Sequence, residues 1–401
     1  MSELDFSEDI NEIRPAFQPI ISGVTHEVVG YELFAQRNEA GDLRNLTEVL
    51  MHEDISAELK LEIKQQVLQQ ALRTVAKDKN LFLSIKRSAQ ELLIDDGQPL
   101  LDTLNHFGET GFPTNRIILE VNEEDIEYYF AELYHLLLYY KNCGIQLAIG
   151  QLGNKTATMD RIRQLEPNVL KINTKIIGND DTKGYDDIMY SFEMLADRIG
   201  ASLLFCNIED DFLQYFAWKH GGRYYQGAYL GTAQPDISPM KMIGMAKITN
   251  QFVNRQKHLI EERMSWIIAW EKTLNELANQ WKNLAGVEDF LVLLGEAFNE
   301  ASFRIYICNS DGLQVSPNYY KADGQWLFED LHKGSNWAFR PYFLENMMQM
   351  RTWNRAMLSK LYADIETRER IRTLSCSLNG DFFIFIDISY SFLYENESLL
   401  I

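Results

Sequence analysis

The sequence reads as an α/β protein with a (β/α)8 barrel of TIM type, followed by a linker helix and a smaller α+β domain. Three observations predict this. Eight short β-branched or aromatic runs recur between residues 16 and 231, most separated by amphipathic stretches. A proline-free segment from 240 to about 284 then carries apolar residues at helical spacing. Beyond it come two more strand-like runs with hairpin-type turns.

The eight runs are "AFQPII", "VVGYELFA", "LFLSIK", "RIILEV", "IQLAIG", "VLKIN", "SLLFCNI" and "YYQGAYLG". Strands that are apolar on both faces and alternate with helices such as Ala57–Val75, Glu124–Cys143 and Tyr185–Ile199 imply a parallel sheet. Eight of them imply a closed barrel. The first connection is too short for a helix, so the first two strands are expected to form a hairpin. From Ile267 the apolar residues Trp270, Leu274, Leu277, Trp281 and Leu284 follow helical spacing. They suit either a linker helix packed on a domain or a dimer seam. The remainder reads as α+β, with strands at "SFRIYIC" and "FFIFIDI" and turns at Asn309–Gly312, Asp323-Gly324 and Asn379-Gly380. The expected domains are 1–238, 239–285 and 286–401.

At 401 residues, with 46% hydrophobic and 24% charged residues, the composition is that of a soluble globular chain. A net charge of −20 argues against nucleic acid and anionic membrane as partners. No run reaches the roughly 18 apolar residues that span a bilayer, because Glu132 and His135 interrupt "YYFAELYHLLLYY". The acidic start "MSELDFSEDINEIRP" has no apolar core of a signal peptide. Cys143, Cys206, Cys308 and Cys376 are scattered without metal-ligand spacing. Reduced thiols, a cytoplasmic location and no metal or other cofactor are therefore expected.

Polar residues at the C-terminal strand ends mark where a barrel of this kind builds its site: Glu32, Lys86, Glu120, Gly150-Gln151, Asn173, Cys206 and Gln226. From about Phe17 to Pro235 the strings "FQPI", "VVGYELFAQ", "LFLSIKRSAQELL", "FPTNRIILEVNEED", "GIQLAIGQLG", "LKIN", "CNIE" and "YYQGAYL" stand in one order. In that order they resemble the EAL-domain phosphodiesterases, which hydrolyse cyclic di-GMP. The addition of a C-terminal sensor-like unit is similar to two-domain EAL proteins of Gram-positive bacteria.

The resemblance implies a site of two divalent metals held by carboxylates and an asparagine, which activate a water. Glu32 matches the glutamate of the family's E-A-L triplet, and Gln36 stands where an arginine clamps phosphate. Lys86 replaces a metal-binding asparagine. Glu120 and Glu123 match the glutamates of the E-x-T-E segment. Gly150 and Gln151 replace an aspartate pair, and Lys171 matches the lysine that polarises the water. Asn173 replaces an aspartate and Cys206 a glutamate, while Glu209 and Gln226 are kept.

Two metals bring four positive charges and need several hard oxygen ligands, which a glycine, a thiol and a lysine do not supply. Loss of several such groups together implies a barrel without catalysis. Lys86 and Lys171 are expected to replace the metals by pairing with Glu32 and Glu120. Gln18, Pro19, Gln36, Gln226 and Gly227 are the candidate nucleotide contacts. Gln36 lacks the bidentate charge of arginine and the loop "GNKTATMDRI" departs from the family pattern, so cyclic di-GMP binding is expected to be weak or absent. The expectation is a catalytically inactive homodimer acting through contacts with an unidentified protein. The alternative is a receptor that binds the nucleotide without hydrolysing it, and residual phosphodiesterase activity is the third reading.

"NWAFRPYF" and "LYADIETRERIRTLSCSL" resemble segments of PAS-like and Cache-type sensor domains. The resemblance implies a pocket at Trp337, Arg340, Tyr342, Tyr362 and Asp364 suited to an amino-acid-like ligand. A structural Arg340–Asp364 ion pair in a dimerisation domain is the alternative. The tryptophans Trp266, Trp270 and Trp281 are read as packing.

Overall fold

The computed structural model describes residues 12–39, 42–47, 50, 55–109, 111–152, 159–176, 182–237, 244–281, 284–340 and 343–400. The chain divides into two compact units, Met1–Ile248 and Thr249–Ile401.

In the first unit the strands are β1 (Arg14–Ser22), β2 (Val28–Glu39), β3 (Asp42–Asn45), β4 (Phe82–Lys86), β5 (Ile117–Asn122), β6 (Gln146–Leu152), β7 (Val169–Asn173), β8 (Ser202–Cys206) and β9 (Tyr224–Tyr225). Strands β2, β4, β5, β6, β7, β8 and β9 run parallel in that order. The ring is closed by β1, antiparallel to both β2 and β9. The short β1–β2 connection has no room for the crossover helix that parallel neighbours require. Strand β3 folds back along the end of β2 as an outlying hairpin.

The two-residue side-chain period sorts each strand into an outer and an inner row. Outward residues such as Leu83, Ile85, Leu119, Leu147, Ile149, Leu170, Ile172 and Phe205 share one core with helix-borne Leu68, Leu72, Leu133 and Leu137. Inward residues Ile20, Ile118, Ala148, Val169 and Leu204 form a separate apolar plug. Counting two residues onward from that plug gives Glu120, Gly150, Lys171 and Cys206, which is why the strands deliver their polar residues to one mouth. Gly30 on β2 leaves room for the Phe82 ring, which lies 2.4 Å from where a Cβ would stand.

Helix Ala57–Val75 begins at Ser56, whose side chain accepts from Leu59 N, and buries Ile63, Val67, Leu68 and Leu72 along one stripe. Tyr140, on helix Phe130–Asn142, is buried and donates to Gly97 O at 2.9 Å.

In the second unit helix Met245–Ala278 buries Trp270 and Leu274 in the core of that unit. Trp266 and Trp270 pack against Phe392, so these tryptophans serve packing. The strands are β10 (Ser302–Asn309), β11 (Asn318–Ala322), β12 (Gln325–Glu329), β13 (Met357–Leu358), β14 (Tyr362–Ala363), β15 (Arg370–Ser377) and β16 (Phe382–Ile388). They form an antiparallel sheet in the order β12-β11-β10-β16-β15-β13, with β14 beside β15. One face carries Ile305, Ile307, Ile384 and Ile386 against Leu291 and Leu294, while the other carries Tyr306, Phe383 and Phe385 against Phe343 and Met347. No helix among the described residues is long and apolar enough to cross a membrane.

Ile149 is fully buried between the β6 backbone and the helical layer. Replacing Ile149 with alanine is expected to cost about 2–5 kcal/mol by urea denaturation, the range for a buried large-to-small change. A loss below about 1 kcal/mol would show that the segment "LAIG" is not kept for its packing.

Candidate functional site

The inward strand-end residues converge on a cavity of about 890 Å³ at the barrel mouth. At its base lies Lys171, whose Nζ donates to Glu32 Oε2 and Glu120 Oε2, both at 2.7 Å. All three side chains are buried, so the ammonium is held almost entirely by these two carboxylates. Burial opposes the charge on Lys171, yet Glu120 and Glu32 outweigh it and hold its pKa above the ordinary lysine value. Burial likewise works against an ionised Glu120, but Lys171 and Lys86 overcome it and keep its pKa below the usual value.

Lys86 contributes differently from what the sequence suggested. Its ammonium stands 3.9 Å from Glu120 Oε1, a long ionic contact beyond hydrogen-bond reach, and its side chain is 23% exposed. The expected pairing of both lysines with the two glutamates therefore holds for Lys171 and must be corrected for Lys86. Strand register explains the difference. Lys86 lies beside Glu120 across neighbouring strands, at the rim, while Lys171 reaches across the barrel to both acids.

Gln226 extends the network. Its Nε2 donates to Gln18 Oε1 at 3.0 Å and to Glu32 Oε2 at 2.5 Å. Among the described residues its own Oε1 is buried without a hydrogen-bond partner, as is Asn122 Oδ1, and both residues line the cavity. Buried acceptors left unpaired cost about 1–3 kcal/mol each, unless a ligand supplies donors. Asn173 lines the same space, with its Oδ1 accepting from Lys175 N at 3.0 Å and Asn207 Nδ2 at 2.7 Å. Gln151 lines it too, at φ 59° in the left-handed region, where the β6–β7 register slips between Ile149 and Leu152.

Other expected site residues lie elsewhere. Gln36 is buried and turned away, donating to Pro15 O at 3.3 Å, so it is not a wall of the cavity. Gly227 packs against the Ile208 backbone, with 2.1 Å between its hypothetical Cβ and Ile208 O. Pro19 and Glu123 are buried outside the cavity wall. Glu209 is 59% exposed and pairs loosely with Lys175 at 3.8 Å. Residues 153–158 of the loop "GNKTATMDRI" lie outside the described residues. Lys60, Lys64 and Tyr128 are among the wall residues that went unnoticed in the sequence. The one available signal was the one-turn spacing of the two lysines on an amphipathic helix.

The side chains present do not fit a pair of divalent metals. Both surviving acids are committed to Lys171. The space beside Gly150 is taken, since a Cβ there would meet Glu120 Oε1 at 2.4 Å. Burial pushes the Cys206 thiol up to about 12, which leaves it protonated and a poor ligand. Among the described residues no cluster of three or more His, Cys, Asp or Glu is placed to hold a metal.

In the second unit, Arg340 lies over the rings of Trp337 and Tyr362, at 4.9 and 5.7 Å from their centroids. Asp364 does not face it. Asp364 pairs with Arg304, which also bonds Asp387 Oδ2 and Glu366 Oε2, each at 2.7 Å. Asp364 further accepts from the Glu366 and Thr367 backbone, closing a turn. The Arg340–Asp364 pair is therefore corrected to Arg304–Asp364, and this carboxylate is not free for a ligand ammonium. Trp337 Nε1 donates to Gln314 Oε1. Tyr342 lies outside the described residues.

The EAL domain model matches residues 4–233, and the model of the EAL-domain associated signalling protein domain matches 241–400. The uncharacterized EAL-domain containing protein YkuI of Bacillus subtilis is 33% identical over 406 residues, spanning the whole of both chains. The crystal structure of that protein in complex with substrate c-di-GMP and calcium has a TM-score of 0.94 over the full length. The FimX EAL domain from Pseudomonas aeruginosa bound to c-di-GMP is 20% identical, covering 60% of this chain and 98% of that one at a TM-score of 0.52. That likeness concerns the fold alone.

The full-length relative overturns the expectation of weak or absent cyclic di-GMP binding, and with it the reading of a protein that acts only through protein contacts. Gln36 was given too much weight: it is turned away from the cavity, whose wall carries cations and buried amides that the local motif does not reveal.

Replacing Lys171 with methionine strands two buried carboxylates and is expected to cost about 3–5 kcal/mol at pH 8. The cost should shrink towards pH 5, because in the variant the carboxylates left behind take up protons. In the native protein, by contrast, Glu120 is held low. Its contribution is complete above the unfolded-state carboxyl value and is lost as pH falls through the folded one. Denaturation curves at both pH values check this, and an equal loss at each would contradict the buried triad.

Proposed function

The chain belongs to the EAL-domain family, and from that premise we propose that it is a receptor that binds cyclic di-GMP without hydrolysing it. The observation that carries this reading is the wall beside Glu32, Glu120 and Lys171, where Lys86, Gln151, Asn173 and Cys206 stand and a Cβ at Gly150 would meet Glu120 Oε1 at 2.4 Å. These positions supply neither the carboxylates nor the open space that a metal pair needs, so a water has no Lewis acid to activate it. The strand-end candidates for a base are unsuited as well. Glu120 is bound to Lys171, and Cys206 stays a thiol with its pKa near 12.

Binding, by contrast, has support from the cavity. About 890 Å³ suits a drug-sized or larger ligand. Among the described residues, Gln226 Oε1 and Asn122 Oδ1 are buried acceptors without partners, complementary to the N–H donors of a guanine edge. Gln18 is already bonded to Gln226 Nε2 and donates to Gly231 O, so the amide pair is held in place before a ligand arrives. The crystallised complex of the full-length relative with the nucleotide supports the same ligand class. The chemical change that ends hydrolysis leaves this polar wall standing.

Titration calorimetry of the full chain with cyclic di-GMP, in chelator and again in magnesium or manganese, tests the reading. It is paired with chromatography of the nucleotide after long incubation. Saturable binding in both buffers with intact nucleotide is expected. Metal-dependent conversion to a linear product would overturn the receptor reading in favour of an enzyme, and a flat trace would remove the nucleotide altogether.

A further inference from the structure

A ligand with two phosphodiester groups brings two negative charges into a chain that already carries −20. Local cations must therefore offset them, and the cavity identifies which ones are available. Among the described residues, five cationic side chains line it: Lys60, Lys64, Lys86, Arg87 and Lys171. Three are already engaged. Lys171 is held by Glu32 and Glu120, and Lys64 bonds Glu91 Oε1 at 2.5 Å. The buried Arg87 guanidinium donates to the carbonyls of Lys86 and Lys64.

Lys60 and Lys86 are left. Among the described residues Lys60 makes no side-chain hydrogen bond or ion pair, and Lys86 has only the 3.9 Å contact with Glu120. Both are partly exposed, and each has the reach of a flexible stem. Exposed Glu58 and Glu124 and half-buried Asp125, which also acts electrostatically on Lys86, line the cavity too, but water and salt screen the exposed pair more than they screen a cation in direct contact with phosphate.

We propose that Lys60 and Lys86 are the phosphate-binding residues of this cavity, jointly offsetting the two phosphodiester charges of the bound nucleotide. The assignment rests on the receptor reading above and deepens it. It moves the anion contact from position 36, where Gln36 faces Pro15, to the helix Ala57–Val75 and the end of β4. No metal is required for it.

The test is calorimetric titration of cyclic di-GMP into the full-length protein in chelator. It uses wild type, Lys60→Gln, Lys86→Gln, the double glutamine variant and the double variant Lys60→Arg with Lys86→Arg. Each single glutamine change is expected to weaken binding roughly tenfold, the scale of a lost charged hydrogen bond. The double change should weaken it more and flatten the dependence of affinity on salt, and the arginine pair should retain binding. Matching thermal denaturation curves for all five proteins would show that folding is intact. If the glutamine variants bind as tightly as wild type and with the same salt slope, the assignment is wrong while the receptor reading stands. If wild type itself gives no heat of binding, both fall together.

Discussion

The barrel mouth depends on one interaction, an ammonium shared by two buried carboxylates. Glu32 and Glu120 project inward from different strands, and without a counter-charge they would repel each other and resist burial. Lys171 resolves this from a third strand, with two hydrogen bonds of equal length. Gln226 adds a donor to Glu32, and Lys86 lends a longer-range charge to Glu120. The shape of the cavity follows. Glu120 lies over Gly150, so the space a longer side chain would use is filled, and amides and lysines line the mouth together with its carboxylates.

Much of the barrel was legible because it rests on a short-range pattern. Runs such as "RIILEV" and "IQLAIG" alternate between helix-facing and lumen-facing residues, and a period of two is visible in any one strand. The β1–β2 hairpin followed from connection length alone. The residue content of the mouth was legible for the same reason, since Glu120, Lys171 and Cys206 each fall two positions beyond an apolar lumen residue. Their pairing was less so. That Lys171 reaches both acids while Lys86 stops 3.9 Å short depends on strand register and tilt, which no single strand encodes.

The residues that sequence reasoning misplaced share one cause. Gln36 sits on a motif next to the site, but its side chain turns to the Pro15 carbonyl on the neighbouring strand. Lys60 belongs to the helix Ala57–Val75, and only the fold brings it to the cavity. In the second unit, Arg340 and Asp364 looked complementary by charge. Arg304, on β10, instead takes Asp364, Glu366 and Asp387 together, a cluster gathered from segments far apart in sequence. Charge type can be read from sequence, but the choice of partner is a property of the packed chain.

In the receptor proposed here, Glu32, Glu120 and Lys171 form the base of the cavity, and the changes at Lys86, Gly150, Gln151, Asn173 and Cys206 remove the further ligands a metal pair would need. The most direct measurement is anomalous X-ray diffraction from crystals of this protein soaked in manganese and cyclic di-GMP. The expected map shows nucleotide in the cavity, the Lys171 ammonium within hydrogen-bond distance of both glutamates, and no anomalous peak beside them. A manganese peak bridged by Glu32 and Glu120, with Lys171 displaced, would contradict it.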